Sequence, residues 1–155
     1  MKRENLIPII KKCVEDLIFQ AEKRKIFINL ELPTDLNVDI DKELIKKAIL
    51  NLLSNAVKNT LPNGDIYVKS IEHQNFIDII IRDTGVGLTD KEIPILFKKF
   101  GKIERYGKGM DVDIEGPGLG LYIANEIVKL HIGEILVKSK GRNKGSTFIL
   151  RLFLK

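Results

Sequence analysis

Apolar positions recur along this chain with two different periods. Helical spacing predicts three amphipathic helices, over about residues 6–23, 41–58 and 119–131. Alternation and short apolar runs predict five strands, over about residues 26–32, 65–71, 76–82, 134–139 and 146–153. Residues 101–117 are rich in glycine and charge and follow neither period, which is typical of a functional lid, a disordered segment, or both.

Local signals mark the ends of several elements. Asn5 is a plausible cap for the first helix, and Pro33 ends the first strand. The segment 89–92 (TDKE) has the form of a capping box that opens a short helix, and Gly133 is expected to end the third long helix. With no repeat and no linker in its 155 residues, the chain is predicted to be one α/β domain over 1–155.

Composition excludes several classes of protein. The longest apolar runs, such as 79–81, are far shorter than the roughly 20 residues of a membrane span, and the N-terminus does not resemble a signal peptide. The single cysteine, Cys13, excludes an internal disulfide framework and favours the reducing cytoplasm. The net charge of +5 is dispersed among acidic residues, which indicates a solvated lysine-rich surface rather than a nucleic-acid site.

The second helix carries a polar face. Asn51, Asn55 and Lys58 share one side of it, opposite much of the apolar stripe. An amide oxygen can bind Mg²⁺ when phosphates supply the other ligands, and a lysine one turn away can pair with a phosphate. Taken alone, the pattern is more typical of an ordinary solvated face.

Two glycine-containing motifs follow a predicted strand and the irregular segment that begins at residue 101, respectively. Asp83 ends an apolar strand, where a carboxylate can accept a hydrogen bond from an exocyclic amine such as that of adenine; Gly85 and Gly87 then allow a sharp turn. Gly116, Gly118 and Gly120 precede the third helix, whose N-terminus favours anions. A strand-ending turn and a flexible hinge remain the alternatives for these two motifs.

Five motifs in one order resemble the N, G1, F, G2 and G3 boxes of sensor histidine kinases. They span essentially the whole chain, at 51–58 (NLLSNAVK), 83–87 (DTGVG), 96–100 (LFKKF), 116–121 (GPGLGL) and 145–148 (GSTF). The resemblance implies a Bergerat-type ATP-binding fold, an α/β two-layer sandwich in which three longer helices cover one face of a mixed β-sheet.

The resemblance also implies a role for each site residue. Asn55 would bind Mg²⁺ with support from Asn51, Lys58 would reach the phosphates, and Asp83 would bind the adenine amino group. The remaining residues of the implied ATP site are Asn59, Gly85, Gly87, Gly116, Gly118, Leu119, Gly120 and Thr147, with Thr147 near the adenine. Residues 101–115 would form the ATP lid, anchored by Phe97 and Phe100, and Lys102 stands where many relatives carry an arginine that contacts phosphate.

One position separates kinases from ATPases within this superfamily. The related ATPases carry a glutamate, the general base for water, four residues before the Mg²⁺ asparagine. Asn51 occupies that position here, and an amide has no basic lone pair of useful pKa. The chain is therefore predicted to be a histidine kinase catalytic domain; an ATPase and a nucleotide-binding interaction module without transfer activity are the alternatives.

Neither histidine fits the phosphoacceptor motif of the family. His73 is followed by Gln-Asn-Phe, and His131 ends the third helix, where a structural role is expected; Ile132 replaces a glycine that relatives often have next. The chain is predicted to be a monomeric fragment whose phosphoacceptor histidine lies on a separate dimerisation domain. A response regulator would be its indirect partner, and no contact with nucleic acid or membrane is expected.

Overall fold

The computed structural model describes residues 1–98 and 119–154 of the chain. Its α-helices are Leu6–Lys23 (α1), Lys42–Asn59 (α2) and Gly120–Leu130 (α3). Its strands are Lys2–Asn5 (β1), Phe27–Glu31 (β2), Asn37–Ile40 (β3), Asp65–Glu72 (β4), Phe76–Asp83 (β5), Gly133–Lys138 (β6) and Ser146–Phe153 (β7). A short 3₁₀ helix covers Ile93–Ile95. The three predicted helices and five predicted strands are confirmed to within about two residues.

The main sheet is mixed, as expected. Its five strands lie in the order β2-β4-β5-β7-β6, with β2 parallel to β4 and every other pair antiparallel. The strands β1 and β3 form a separate antiparallel pair.

The core lies between the helices and one face of this sheet. Alternate residues of β5 and β7 point into it, and their register pairs Ile81 with Phe148 and Ile79 with Leu150. The buried stripes of α1 and α2 pack against each other, with α1 next to β2 and α2 next to β5. This arrangement confirms the predicted two-layer α/β fold.

Side chains cap the helices where the sequence indicates. Asn5 accepts hydrogen bonds at Oδ1 from the backbone N–H groups of Ile7 (3.1 Å) and Leu36 (2.9 Å), so it also ties α1 to the segment before β3. In the predicted capping box, Glu92 accepts from the N–H of Thr89 at 2.9 Å. The helix that follows is only the 3₁₀ turn Ile93–Ile95, with a proline in its first positions.

Two details of the sequence-based description are wrong or incomplete. The pair β1–β3 was not predicted, because both strands are four residues long and β1 is entirely polar. Gly133 does not supply the left-handed residue that ends α3, since Ile132 has φ +55° and Gly133 is already in β6. Gly133 is needed for packing instead, because a Cβ there would lie 2.3 Å from the carbonyl oxygen of Arg151.

His131 has a structural environment, as expected. Its Nε2 accepts a hydrogen bond from the backbone N–H of Asp41 at 3.0 Å, and its Nδ1 lies 2.8 Å from the carbonyl oxygen of Ile127. This pattern requires the tautomer with hydrogen on Nδ1, which donates to Ile127. The imidazole therefore links the end of α3 to the start of α2.

The sheet face opposite the helices carries a partly buried ion pair. The guanidinium of Arg151 donates to both carboxylate oxygens of Asp78, at 2.8 and 3.0 Å, and stacks on the ring of Phe76. The hydrogen bonds from Arg151 to Asp78 raise the pKa of the arginine further.

Cys13 is fully buried on α1. Burial raises the pKa of its thiol from 9.0 to about 11, and its Sγ lies 3.5 Å from the carbonyl oxygen of Lys46. Among the described residues, no helix has the length and apolar character that crossing a membrane requires.

Candidate functional site

The C-terminal half of α2 presents two asparagines one turn apart, and a third asparagine orients one of them. Asn59 donates from Nδ2 to Oδ1 of Asn55 at 3.0 Å and to the backbone carbonyl of Asn55 at 2.8 Å. The hydrogen bond to Oδ1 identifies which atom of the Asn55 amide is the oxygen. It leaves a second lone pair on that oxygen for another partner.

Asp83 is a buried carboxylate at the end of β5. Only 2% of the residue is exposed, and its two oxygens accept from different donors. Oδ1 accepts from the backbone N–H of Gly85 at 2.9 Å, and Oδ2 accepts from the hydroxyl of Ser146 at 2.8 Å. These bonds fix the plane of the carboxylate before any ligand arrives.

Glycine at position 85 brings the end of α2 against the loop after β5. A Cβ at Gly85 would lie 2.0 Å from the carbonyl oxygen of Asn59, and that same oxygen accepts from the N–H of Val86 at 3.1 Å. Gly87 has φ +69°, and a Cβ there would lie 2.1 Å from the carbonyl oxygen of Gly141. Both glycines are therefore required by the close approach of other backbone segments.

Asn51 faces the start of α3. A Cβ added at Gly120 would lie 3.8 Å from Cγ of Asn51, so the two residues are neighbours. Within the described residues, Nδ2 of Asn51 is buried and has no hydrogen-bond partner. A buried donor without a partner is costly and is typical of a place where a ligand or water completes the set.

The start of α3 is open to an anion. Leu119 is its N-cap residue and makes no side-chain capping bond, and no acidic residue lies in the first turn. The unpaired N–H groups of a first turn and the helix dipole favour negative charge. Lys58 lies half-buried in the last turn of α2, where it adds positive charge to the same region of the chain as Asn55.

The structure contradicts one sequence-based assignment. Thr147 pairs with Arg82 in the β5–β7 register, so its side chain points to the face of the sheet opposite Asp83. The hydroxyl that reaches Asp83 belongs to Ser146, which pairs with Asp83 across the same two strands. The alternation along β7 could have predicted this, because Ser146 is two and four residues before Phe148 and Leu150 and so faces the core with them.

Several predicted residues lie outside the described part of the chain. They are Lys102, Gly116, Gly118, Phe100 and the segment 101–115. Phe97 is described, and its ring lies edge-on to Phe148, with centroids 6.4 Å apart. It therefore packs against the core at the point where the chain leaves the 3₁₀ helix.

A metal ion at Asn55 would need most of its ligands from elsewhere. Among the described residues, no group of three or more histidine, cysteine, aspartate or glutamate side chains could hold a metal. One oriented amide oxygen, on the helix whose Asn51 faces the start of α3, fits an ion that arrives with phosphate groups. The donor set is thus compatible with Mg²⁺ bound together with a nucleotide.

Comparison with known proteins gives a consistent family. Residues 40–155 match the family of histidine kinase-, DNA gyrase B-, and HSP90-like ATPases. The chain is 33% identical over 147 residues to the adaptive-response sensory kinase SasA of Synechocystis, covering 92% of this chain and 37% of that protein. It is 32% identical over 120 residues to the histidine protein kinase DivJ of Caulobacter vibrioides, covering 77% of this chain and 19% of that protein. The chain thus spans well under half the length of these relatives.

Solved structures share the fold. The mycobacterial sensor histidine kinase MprB superimposes with a TM-score of 0.82 at 23% identity, covering 98% of this chain and 96% of that one. The histidine kinase ThkA, in a complex with the response regulator protein TrrA, superimposes with a TM-score of 0.75 at 24% identity, covering 99% of this chain and 42% of that one.

Proposed function

Because the chain belongs to the histidine kinase-, DNA gyrase B- and HSP90-like ATPase family, we propose that it is the catalytic domain of a histidine kinase. It binds ATP with Mg²⁺ and transfers the γ-phosphoryl group to a histidine on a separate dimerisation domain. The identity to SasA over 92% of the chain supports a kinase rather than another branch of the family.

This proposal rests on the buried carboxylate of Asp83, in which each oxygen accepts a hydrogen bond from the protein. Gly85 and Ser146 hold both oxygens from the protein side. Asp83 accepts a further hydrogen bond from the exocyclic amine of adenine, since each carboxylate oxygen has more than one lone pair. Guanine has a carbonyl oxygen at the corresponding position, which would repel the carboxylate. The site should therefore select adenine nucleotides.

The phosphates lie between α2 and the start of α3 in this proposal. Asn55 holds Mg²⁺ through the oxygen that Asn59 orients, and Lys58 pairs with a phosphate. Leu119 and Gly120 offer backbone N–H groups of the first turn of α3. By the family resemblance, Lys102, Gly116 and Gly118 would belong to the phosphate end and residues 101–115 to the lid, all outside the described part of the chain.

The residue at position 51 favours transfer over hydrolysis. The amide of Asn51 is a neighbour of Gly120, and it cannot take a proton from an attacking water. Phosphoryl transfer needs chiefly positioning and charge neutralisation. A neutral imidazole nitrogen of the acceptor bonds to the γ-phosphorus while the bond from that phosphorus to the bridging oxygen breaks, and ADP leaves.

The partners follow from the same proposal. The acceptor histidine lies on the dimerisation domain of the same kinase, and a response regulator takes the phosphoryl group from that histidine afterwards. ThkA, a protein of this fold, forms a complex with a response regulator. The free thiol of Cys13 is compatible with a cytoplasmic location.

Calorimetric titration tests the adenine site. A non-hydrolysable ATP analogue should bind with a Mg²⁺-dependent affinity, and the GTP analogue should bind far more weakly. Asp83→Asn should weaken ATP binding by roughly 1–3 kcal/mol, because the amide presents a donor to the adenine amine. Asp90→Asn, the same change at an exposed position, is the control. An unchanged affinity in Asp83→Asn would remove that residue from the adenine site.

A further inference from the structure

The loop between β6 and β7 lies beside the loop that follows Asp83, and the two are joined by hydrogen bonds. The N–H of Asn143 donates to the carbonyl of Val86 at 2.7 Å, and the N–H of Gly145 donates to that of Gly85 at 3.1 Å. The N–H of Leu88 donates to Oγ of Ser139 at 2.9 Å. Three successive bonds of this kind make the two loops one structural unit.

Arg142 adds a charged connection to this unit. Its Nη1 donates to the carbonyl of Gly87 at 3.1 Å, and its Nη2 lies 2.6 Å from Oε2 of Glu92. The other oxygen of Glu92 accepts from the N–H of Thr89. One guanidinium therefore joins the β6–β7 loop, the turn at Gly87 and the start of the 3₁₀ segment.

This ion pair differs from the exposed pairs on the surface of the domain. The side chains of Arg142 and Glu92 are 22% and 14% exposed, whereas those of Lys12 and Glu15 are 52% and 72% exposed. Partial burial and direct hydrogen bonding strengthen a pair, while exposed pairs contribute little. The carbonyl of Gly87 belongs to a residue in the left-handed region, whose peptide orientation depends on its partners.

We propose that Arg142 is a positioning residue for nucleotide binding, acting through Gly87 and Glu92. It holds the loop 85–88 so that the Asp83 carboxylate stays aimed at the base, and this role rests on the proposed function of that loop. Glu92 supports Arg142 in this role, since its carboxylate binds the guanidinium and accepts from the backbone N–H of Thr89.

Three variants separate a positioning role from simple loss of stability. Arg142→Met keeps the apolar stem and removes all five donors. It should weaken binding of the ATP analogue on the order of tenfold, because the bonds to the Gly87 carbonyl and to Glu92 are both lost. Arg142→Lys should recover part of the affinity, because a single ammonium reaches only one of the two partners. Glu92→Gln should fall between these two variants.

Arg151→Met is the matched control. Arg151 makes a bidentate pair with Asp78 on the opposite face of the same sheet, so this change removes an equally buried ion pair far from the loop. It should lower the melting temperature while leaving the affinity for the ATP analogue within about twofold of wild type. The Mg²⁺ concentration for half-maximal effect should stay constant in every variant, because Asn55 is unaltered.

The outcomes are distinguishable. An affinity that is unchanged in folded Arg142→Met, or lowered equally in Arg151→Met, would overturn the positioning role. The proposed function would still stand in that case, provided that the wild-type chain binds the ATP analogue. If Arg142→Met does not fold, Arg142→Lys and Glu92→Gln carry the same comparison. Absence of nucleotide binding by the wild-type chain would overturn the proposed function and the positioning role together.

Discussion

Replacing Ser146 with alanine should weaken both the fold and nucleotide binding, because its hydroxyl donates to the buried Asp83 carboxylate, as the N–H of Gly85 does. A hydrogen bond to a charged group contributes about 1.5–3 kcal/mol. The donor at Gly85 remains in the variant, so the lower half of that range applies, about 1.5–2 kcal/mol of unfolding free energy. In a domain of this length the melting temperature should fall by about 3–8 °C.

The effect on affinity follows from the orientation of the carboxylate. Without the hydroxyl of Ser146, Asp83 samples orientations that do not meet the adenine amine. Losing about 1 kcal/mol of that contact corresponds to roughly fivefold weaker binding of ATP. Titration calorimetry of the ATP analogue and differential scanning calorimetry of the free protein measure the two effects separately.

Thr147→Val is the matched control for this prediction. It also removes one hydroxyl, from the adjacent residue, but Thr147 lies on the face of the sheet opposite Asp83. Its affinity for ATP should equal that of wild type. An affinity lowered in Thr147→Val and unchanged in Ser146→Ala would refute the assignment of faces, and with it the placement of Ser146 in the site.

Three further predictions concern other parts of the chain. Ile132→Gly should raise the free energy of unfolding by about 1 kcal/mol, because a β-branched residue at φ +55° is strained, and the side chain is 75% exposed, so little packing is lost. Thermal unfolding measures this change, with Lys25→Gly, at another left-handed position, as the comparison. The buried thiol of Cys13 keeps its proton up to about pH 11, whereas the unfolded thiol loses it near pH 9.0, so stability should fall between these values by roughly 2–3 kcal/mol. Guanidinium unfolding at pH 8 and pH 11 should show that extra loss in wild type and not in Cys13→Ala. Asn51→Glu should raise ATP hydrolysis at least about tenfold by supplying a general base, and release of phosphate at the wild-type rate would contradict that reasoning.

The helices of this domain were predictable because each carries a full apolar stripe. Leu6, Ile10 and Leu17 repeat at helical spacing, and every one of them is buried in the structure. The strands of the main sheet were predictable from apolar runs between turn residues. Asn5 and Asp41, which cap α1 and α2, are residue types that favour this position.

The small sheet could not be predicted because its stabilisation is not local. The strand Lys2–Asn5 has no apolar residue, and its partner Asn37–Ile40 is more than thirty residues away. Pairing between distant short strands depends on where α1 and β2 place the chain ends. Sequence patterns of period two and 3.6 contain no such information.

For the candidate site, the sequence indicates segments rather than contacts. The motifs identified Asn55, Asp83 and Gly85, but the bond from Asn59 to Asn55 and that from Ser146 to Asp83 depend on rotamers and register. Choosing Thr147 over Ser146 was an error of one residue, which in a strand reverses the face. The Arg142–Glu92 pair left no signal, because both residues lie in irregular segments.

The bond between His131 and Asp41 has a mechanical consequence for α3. It fixes the C-terminal end of this helix to the start of α2, while Gly120 at the other end faces Asn51. Eleven residues make α3 about 16 Å long. The end of α3 that faces Asn51 therefore lies one helix length, about 16 Å, from the end that this bond fixes to α2.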